Sequence, residues 1–229
     1  MKKTYKAIQN FVVRTIIGFF LVSIGLVVLY RFVPVPFTLL MVQRSVEQML
    51  DGKELKLSKN WMNAEKISPN MRKAVVAAED QLFYEHNGFD TKAIEKALKY
   101  NEKQKTKKRK RMRGASTISQ QTAKNVFLWS SRSWVRKGFE VYFTFFIELI
   151  WSKERILEVY LNVIETGDGI YGVEAAAQAF FNTSAAKLSA SQAATIAAVL
   201  PNPRKWNAGE PSAYVSKRKN WILRQMHNF

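Results

Sequence analysis

The sequence predicts a mostly helical domain behind an apolar N-terminal segment. Three observations predict it: an uncharged run near the N-terminus, helix start and stop signals recurring along the remainder, and few strand signals. The chain has 229 residues, enough for one good-sized domain. Hydrophobic residues make up 47% of it, so a core can be buried and disorder of the whole is excluded.

The first element is the run TIIGFFLVSIGLVVLY, which starts at Thr15 and carries no charge. Extended to Val33 it is roughly 19 residues, close to the ~20 a helix needs to cross a bilayer. Lys2, Lys3, Lys6 and Arg14 precede it with no acid among them, whereas Arg44 is soon followed by Glu47 and Asp51. That asymmetry predicts a cytoplasmic N-terminus at 1–14, a single-pass anchor at 15–37, and residues 38–229 outside. A cleaved signal peptide is the alternative, but the following RFVPVPF offers no small-residue cleavage site. Pro34 and Pro36 cannot continue a helix and end the segment.

Ser68-Pro69 reads as an N-cap followed by proline at the first helical position. The helix it opens is expected to run through NMRKAVVAAEDQLFYEH to a stop at Gly88. Another begins at Asp90 or Thr91. Residues 103–113, KQKTKKRKRMR, have almost nothing apolar to bury and are expected to form a mobile basic loop. Thr117-Ile-Ser-Gln120 is a capping box opening the next helix. A long helical region follows from Ser133 to Val163, with Ser152 a possible break. Then come GVEAAAQAFF, a second capping box from Ser189 to Gln192, and a last helix after Pro211.

The composition narrows the chemistry. There is no cysteine, so disulfides, thiolate metal sites and cysteine nucleophiles are excluded. His86 and His227 are the two histidines, too few for a multi-histidine metal site. Lys and Arg number 36 against 18 Asp and Glu, a net charge of +18 that calls for an anionic partner.

Three constellations are candidates for a site. On a helix running to Gly88, Glu79, Phe83 and His86 would share one face, with Asp80 a little way round. An acid beside an aromatic ring and a histidine can be tuned for proton transfer, although periodicity alone favours a surface Glu beside a core Phe and a helix-terminal His. Between Gly114 and Asn125, hydroxyls and helical N–H groups with Gln120, Gln121, Lys124 and Asn125 could hold an anion, or form a solvated face. Arg136 and Glu140 are i and i+4, an ordinary surface pair unless buried. The apolar FEVYFTFFIELIW that follows is too short to span a bilayer and is either a core helix or a surface dipping into lipid. Two further patterns are decoys. Gly167-Asp-Gly169-Ile-Tyr-Gly172 fits a dinucleotide fingerprint but follows a helical pattern instead of a strand. Ser184-Ala-Ala-Lys187 lacks the other motifs of a transpeptidase.

Taken together, the segments resemble one family. Glu79-Asp80-Gln-Leu-Phe83-Tyr-Glu-His86-Asn-Gly88 resembles the E-D-x-x-F-x-x-H-x-G motif of the peptidoglycan glycosyltransferases, the family shared with class A penicillin-binding proteins. Gly114-Ala-Ser116-Thr117-Ile-Ser-Gln120-Gln121-Thr-Ala-Lys124-Asn125 resembles their G-x-S-T-x-x-Q-Q-x-x-K-N. Arg136-Lys137-x-x-Glu140 is similar to R-K-x-x-E, and Lys153-Glu-Arg-Ile-Leu-Glu158-Val-Tyr160-Leu-Asn162 to K-x-x-I-L-E-x-Y-L-N. The stand-alone biosynthetic transglycosylases, without a transpeptidase domain, fit the length.

This resemblance implies an all-α fold with a lysozyme-like, two-lobed glycosyltransferase domain. The implied reaction polymerises lipid II into β-1,4-linked glycan strands, with inversion at the donor anomeric carbon and release of undecaprenyl pyrophosphate. Glu79 is implied as general base and Glu140 as the second acidic residue of the catalytic pair, either orienting a cation or helping hold a divalent metal on the diphosphate. Asp80, Phe83, His86, Ser116, Thr117, Gln120, Gln121, Lys124, Asn125, Arg136 and Lys137 are implied around the substrate, with Lys153 and Glu158 shaping the site from behind. No organic cofactor is expected. A divalent cation (Mg or Mn) is expected only with the lipid diphosphate, through Glu140, with no dedicated protein cage. The expected partners are lipid II, the growing lipid-linked chain, membrane lipids, and other cell-wall synthesis and division proteins. A lysozyme-type hydrolase is the alternative. Nucleic acid is not expected, because the basic run has no interleaved aromatics.

Overall fold

The computed structural model describes residues 2–104, 114–131 and 133–229, with the side chains of Lys2 and Lys3 left aside. Most of the expected basic loop, residues 105–113, lies outside the described residues. The chain divides into two compact units, Met1–Pro34 and Val35–Phe229.

The first unit is one helix, α1 (Lys2–Phe32), which takes in both the basic N-terminal stretch and the apolar run. Its stretch from Thr4 to Phe32 is long and apolar enough to cross a membrane. Pro34 follows it closely, as the loss of a backbone donor requires.

The second unit is helical apart from a very small sheet. Helix α2 spans Leu39–Leu50, and β1 is the two-residue strand Ser58–Lys59. Helices α3 (Pro69–Glu79), α4 (Thr91–Gln104), α5 (Ile118–Phe127), α6 (Trp134–Ile150) and α7 (Lys153–Val163) follow. Strands β2 (Glu165–Gly167) and β3 (Ile170–Tyr171) precede α8 (Val173–Phe181), α9 (Ala190–Val199) and α10 (Ala213–Gln225). The helices pack in two groups: α9 lies between α3 and α10, and α5 packs on α6 and α7.

Side-chain chemistry explains the boundaries. Ser68, Thr117, Ser133, Ser152, Ser189 and Ser212 all cap the helices they precede, and both expected capping boxes form. Ser152 is the break in the long helical region: it caps α7, so the chain turns at Trp151. Helix α9 carries alanines at 190, 193, 194, 197 and 198, four of them wholly buried, which lets α3 and α10 approach closely.

One expectation is corrected. The helix opened by Pro69 stops at Glu79 and does not reach His86, so Glu79, Phe83 and His86 do not share a helical face. Asp80 leaves helical geometry (φ −160°, ψ 82°), and its carboxylate accepts from the Ile118 N–H at 2.9 Å and from His86. Those tertiary bonds outweigh one more turn of helix. The all-α class holds, with one very small sheet added to it. Its order is β1-β3-β2, with β3 parallel to β1 and antiparallel to β2. The glycine pattern read as a decoy belongs to it. At Gly169 φ is +73°, and a Cβ would lie 2.4 Å from the Lys56 carbonyl oxygen.

Gly88 has the same requirement closer to the site. Its φ is +87°, and a Cβ would meet both Glu148 and Thr144 of α6 at 2.9 Å. Gly88→Ala is expected to lower stability by about 1–3 kcal/mol, from strain plus overpacking, as measured by urea unfolding followed by far-UV circular dichroism.

Candidate active site

Glu79 is the last residue of α3, and the end of that helix places its carboxylate against α5 and α10. Gln121 Nε2 donates to Glu79 Oε2 at 3.0 Å, and Arg218 Nη2 to Oε1 at 3.3 Å. Tyr160, wholly buried, donates its hydroxyl to Gln121 Oε1 at 3.3 Å, which fixes the direction of that amide. The Glu79 side chain is 14% exposed. Burial pushes its carboxyl above the ordinary glutamate range, against the Gln121 hydrogen bond and the charges of Arg218 and Lys124, which hold it down.

Asp80 points the other way, into the wall. Its side chain is 3% exposed and accepts the His86 Nε2 proton at 3.0 Å from each oxygen. His86 Nδ1 accepts the Gly88 N–H at 3.1 Å, so the proton of a neutral ring sits on Nε2. Behind His86, Lys153 Nζ donates to the His86 carbonyl at 2.6 Å and to Glu148 Oε1 at 2.8 Å, and it sits 4.7 Å from the Phe83 ring centroid. Ser119 donates to the same Glu148 oxygen. Phe83 is wholly enclosed. These residues hold the backbone beside Glu79, and none of Asp80, Phe83 or His86 lines the cleft described next.

That cleft has a volume of about 430 Å³ and is lined by Gln121, Lys124, Asn125 and Arg136, with Arg44, Trp129 and Glu165 among its other walls. Lys124 is partly desolvated there: burial pulls its ammonium below the ordinary lysine range, while Glu140 and Glu79 oppose the shift. Asn125 Nδ2 and Arg136 Nε are enclosed without a hydrogen-bond partner. A cation with two unpaired donors around one cavity describes a site made for an acceptor-rich anion.

Glu140 is 3% exposed and keeps two cations in place. Arg136 Nη1 donates to Oε2 at 2.7 Å, and Lys137 Nζ binds Oε1. With both oxygens committed, Glu140 does not suit the role of a metal ligand. Among the described residues, no group of three or more His, Asp or Glu stands together to hold one.

The other expected site residues fall in different places. Ser116 is exposed just before α5. Thr117 and Gln120 are consumed by the capping box, and Thr117 Oγ1 also donates to the Gly88 carbonyl at 2.7 Å. Glu158 pairs with Arg155 at 3.1 Å and is not part of the cleft lining. The sequence reading passed over Arg218, Tyr160, Ser119 and Glu148. Tyr160 stands in the Y-L-N of a quoted motif, so a signal existed. Arg218 had none, because 139 positions separate it from Glu79.

Comparison with known proteins follows this geometry. The family profile described as Transglycosylase matches residues 46–227. The biosynthetic peptidoglycan transglycosylase of Bacteroides thetaiotaomicron is 59% identical over 97% of this chain and 88% of its own length. Those of Bdellovibrio bacteriovorus (55%, over 99% and 88%) and Pseudomonas syringae pv. syringae (51%, over 96% and 92%) are similar. With an acid poised beside an anion-receptive cleft and relatives of this identity along nearly its whole length, the chain belongs to the transglycosylase family and is a glycosyltransferase.

Proposed function

We propose that this peptidoglycan transglycosylase polymerises lipid II into β-1,4-linked glycan strands. The observation that carries the reading is the adjacency of a buried, proton-tuned Glu79 to a cleft lined by Lys124, Asn125 and Arg136. Gln121 belongs to both, since it binds Glu79 and lines the cleft.

In this mechanism the acceptor's 4-hydroxyl attacks the donor anomeric carbon. The C1–O bond to the diphosphate breaks as the new C1–O4 bond forms, and the hydroxyl proton passes to Glu79. One displacement inverts the anomeric centre. Charge grows on the departing undecaprenyl pyrophosphate, and Lys124 and Arg136 offset it from a partly desolvated cleft, where such interactions are strongest. Glu140 keeps Arg136 and Lys137 in place before substrate arrives, so little reorganisation is needed. A divalent cation riding on the diphosphate would find both Glu140 oxygens already paired with Arg136 and Lys137. A lysozyme-type hydrolase would need a second available carboxylate across the scissile bond. Asp80 is bound to His86 and Ile118, and Glu140 to two cations, which leaves Glu165 in the cleft wall. The Lys124 and Arg136 lining of that cleft suits a diphosphate leaving group, which a hydrolase of finished glycan does not have.

The substrate's lipid tail makes membrane contact part of the function. Helix α6 buries Glu140, Phe143, Thr144 and Ile147, and presents Trp134, Val141, Phe145 and Leu149 outward along one stripe. Helix α2 does the same with Leu39, Val42, Val46, Met49 and Leu50. These apolar stripes, beside a surplus of cations, suit an anionic lipid surface. Helix α1 is then the single-pass anchor of the cytoplasmic membrane, with residues 1–14 inside and 38–229 on the periplasmic side.

Incubated with labelled lipid II, the wild-type protein is expected to yield polymeric glycan. Glu79→Gln should reduce the rate by at least about 10²-fold, as loss of a general base does; equal rates would remove Glu79 from the role. The base works only when ionised. Since burial raises its pKa, kcat/KM should fall with decreasing pH well before the ordinary carboxyl value of 4.5 is reached. Arg218 holds that pKa down, so Arg218→Met should move the acid limb to higher pH, as read from rate–pH profiles of both proteins. For the membrane surface, the separate Val35–Phe229 unit should sediment with anionic vesicles. Phe145→Glu with Leu149→Glu should reduce that binding by about tenfold or more, a loss of a few kcal/mol of apolar burial.

A further inference from the structure

The cleft has a second set of walls that the diphosphate does not explain. Arg44 from α2, Ile164 and Glu165 at the start of β2, and Leu40, Leu200 and Pro201 around them line the same cavity as Lys124 and Arg136. Glu165 is the acid in that lining. It is 8% exposed, its Oε1 is enclosed without a hydrogen-bond partner, and Arg44 Nε is enclosed and unpartnered as well. Arg44 does not neutralise Glu165 by direct pairing: its Nη1 goes to Glu47 at 2.6 Å. The remaining charges nearby are occupied too, with Arg204 paired to Asp168 at 3.2 Å. Beneath Glu165, its ladder partner Tyr171 is wholly buried, with its hydroxyl also unpartnered.

Buried polar groups left unpaired cost stability, typically about 1–3 kcal/mol each. A cleft wall that keeps an acceptor and a donor in that condition is equipped for a ligand that supplies the complements. The diphosphate is not that ligand, because a carboxylate repels it. A neutral group is required, offering one N–H or O–H to Glu165 and one oxygen to Arg44, with apolar surface for Leu40, Ile164, Leu200 and Pro201. An acetamido group has all three: an amide N–H, a carbonyl and a methyl.

We infer that Glu165 and Arg44 form a sugar subsite of the cleft that recognises the acetamido group of an N-acetylhexosamine, Glu165 accepting its N–H and Arg44 donating to its carbonyl. The inference rests on the glycan-polymerising reading and names specificity-determining residues for it. The cleft then sorts one substrate by chemistry, with its anion at Lys124 and Arg136 and its neutral sugar at Glu165 and Arg44.

The test uses the full chain in detergent micelles, with chitotetraose and cellotetraose as probes. The two neutral oligosaccharides differ at C2, acetamido in one and hydroxyl in the other, and neither carries a diphosphate. Wild-type protein should bind chitotetraose about fivefold or more tightly than cellotetraose, the worth of one added hydrogen bond, by calorimetric titration or saturation-transfer NMR. Glu165→Leu should erase the preference while the melting temperature holds or rises, because it removes an unpartnered buried carboxylate. Glu165→Gln, whose amide oxygen still accepts, should retain it, and Arg44→Met should weaken it if Glu165→Leu does not fold. Equal binding of the two sugars by wild type, no binding of either, or a preference surviving in Glu165→Leu would overturn the subsite. Lipid II polymerisation is followed in the same preparation. A wild type that polymerises without the sugar preference overturns this inference alone, whereas one that makes no polymer overturns the underlying function.

Discussion

The buried carboxylate of Asp80 is the interaction on which the site depends. It takes the first N–H of α5 and the Nε2 proton of His86, two donors that would otherwise be buried unpaired. Meeting both requires the chain to leave helical geometry at Asp80, so α3 ends with Glu79 at its tip. The same contact docks the N-terminus of α5, and α5 carries Gln121 to the Glu79 carboxylate and Lys124 and Asn125 to the cleft. One wall residue therefore sets where the proton acceptor stands and where the cationic lining begins.

A similar economy governs the charges. The chain carries a large excess of cations, yet three of those near the site are held by buried acids instead of by solvent. Glu140 fixes Arg136 and Lys137, and Glu148 fixes Lys153 under His86. An exposed Arg–Glu pair at i and i+4 contributes little, but at 3% exposure Glu140 is committed to its partners and so becomes an anchor. Lys124 lies partly desolvated among these groups, and that burial lowers its proton affinity. An anion entering the cleft would supply the counter-charge.

Much of this was legible in the residue order. Caps are local chemistry, so Ser68, Thr117, Ser152 and Ser189 announce their helices within four residues, and each does cap one. The apolar run of α1 is a matter of length and composition, readable without any fold. Gln121, Lys124, Asn125 and Arg136 lie in the family-like motifs, and packing sets all four around one cavity. Phe83, His86, Thr117 and Gln120 lie in the same motifs but serve as scaffold, because a motif records which residues occur and not which way they face. The small sheet escaped notice because strands of two or three residues show no alternation to read.

Residue order thus determined the helical class, the apolar N-terminal helix and the family, since each rests on local spacing or composition. Packing alone decided the direction of each side chain. It ended α3 one residue before Asp80, brought Arg218 across 139 positions to Glu79, set Glu140 between Arg136 and Lys137, and left Glu165 unpaired in the cleft wall. Hydrogen bonds and burial between distant segments carry no signature along the chain, and here they outweigh the local helical preference at Asp80.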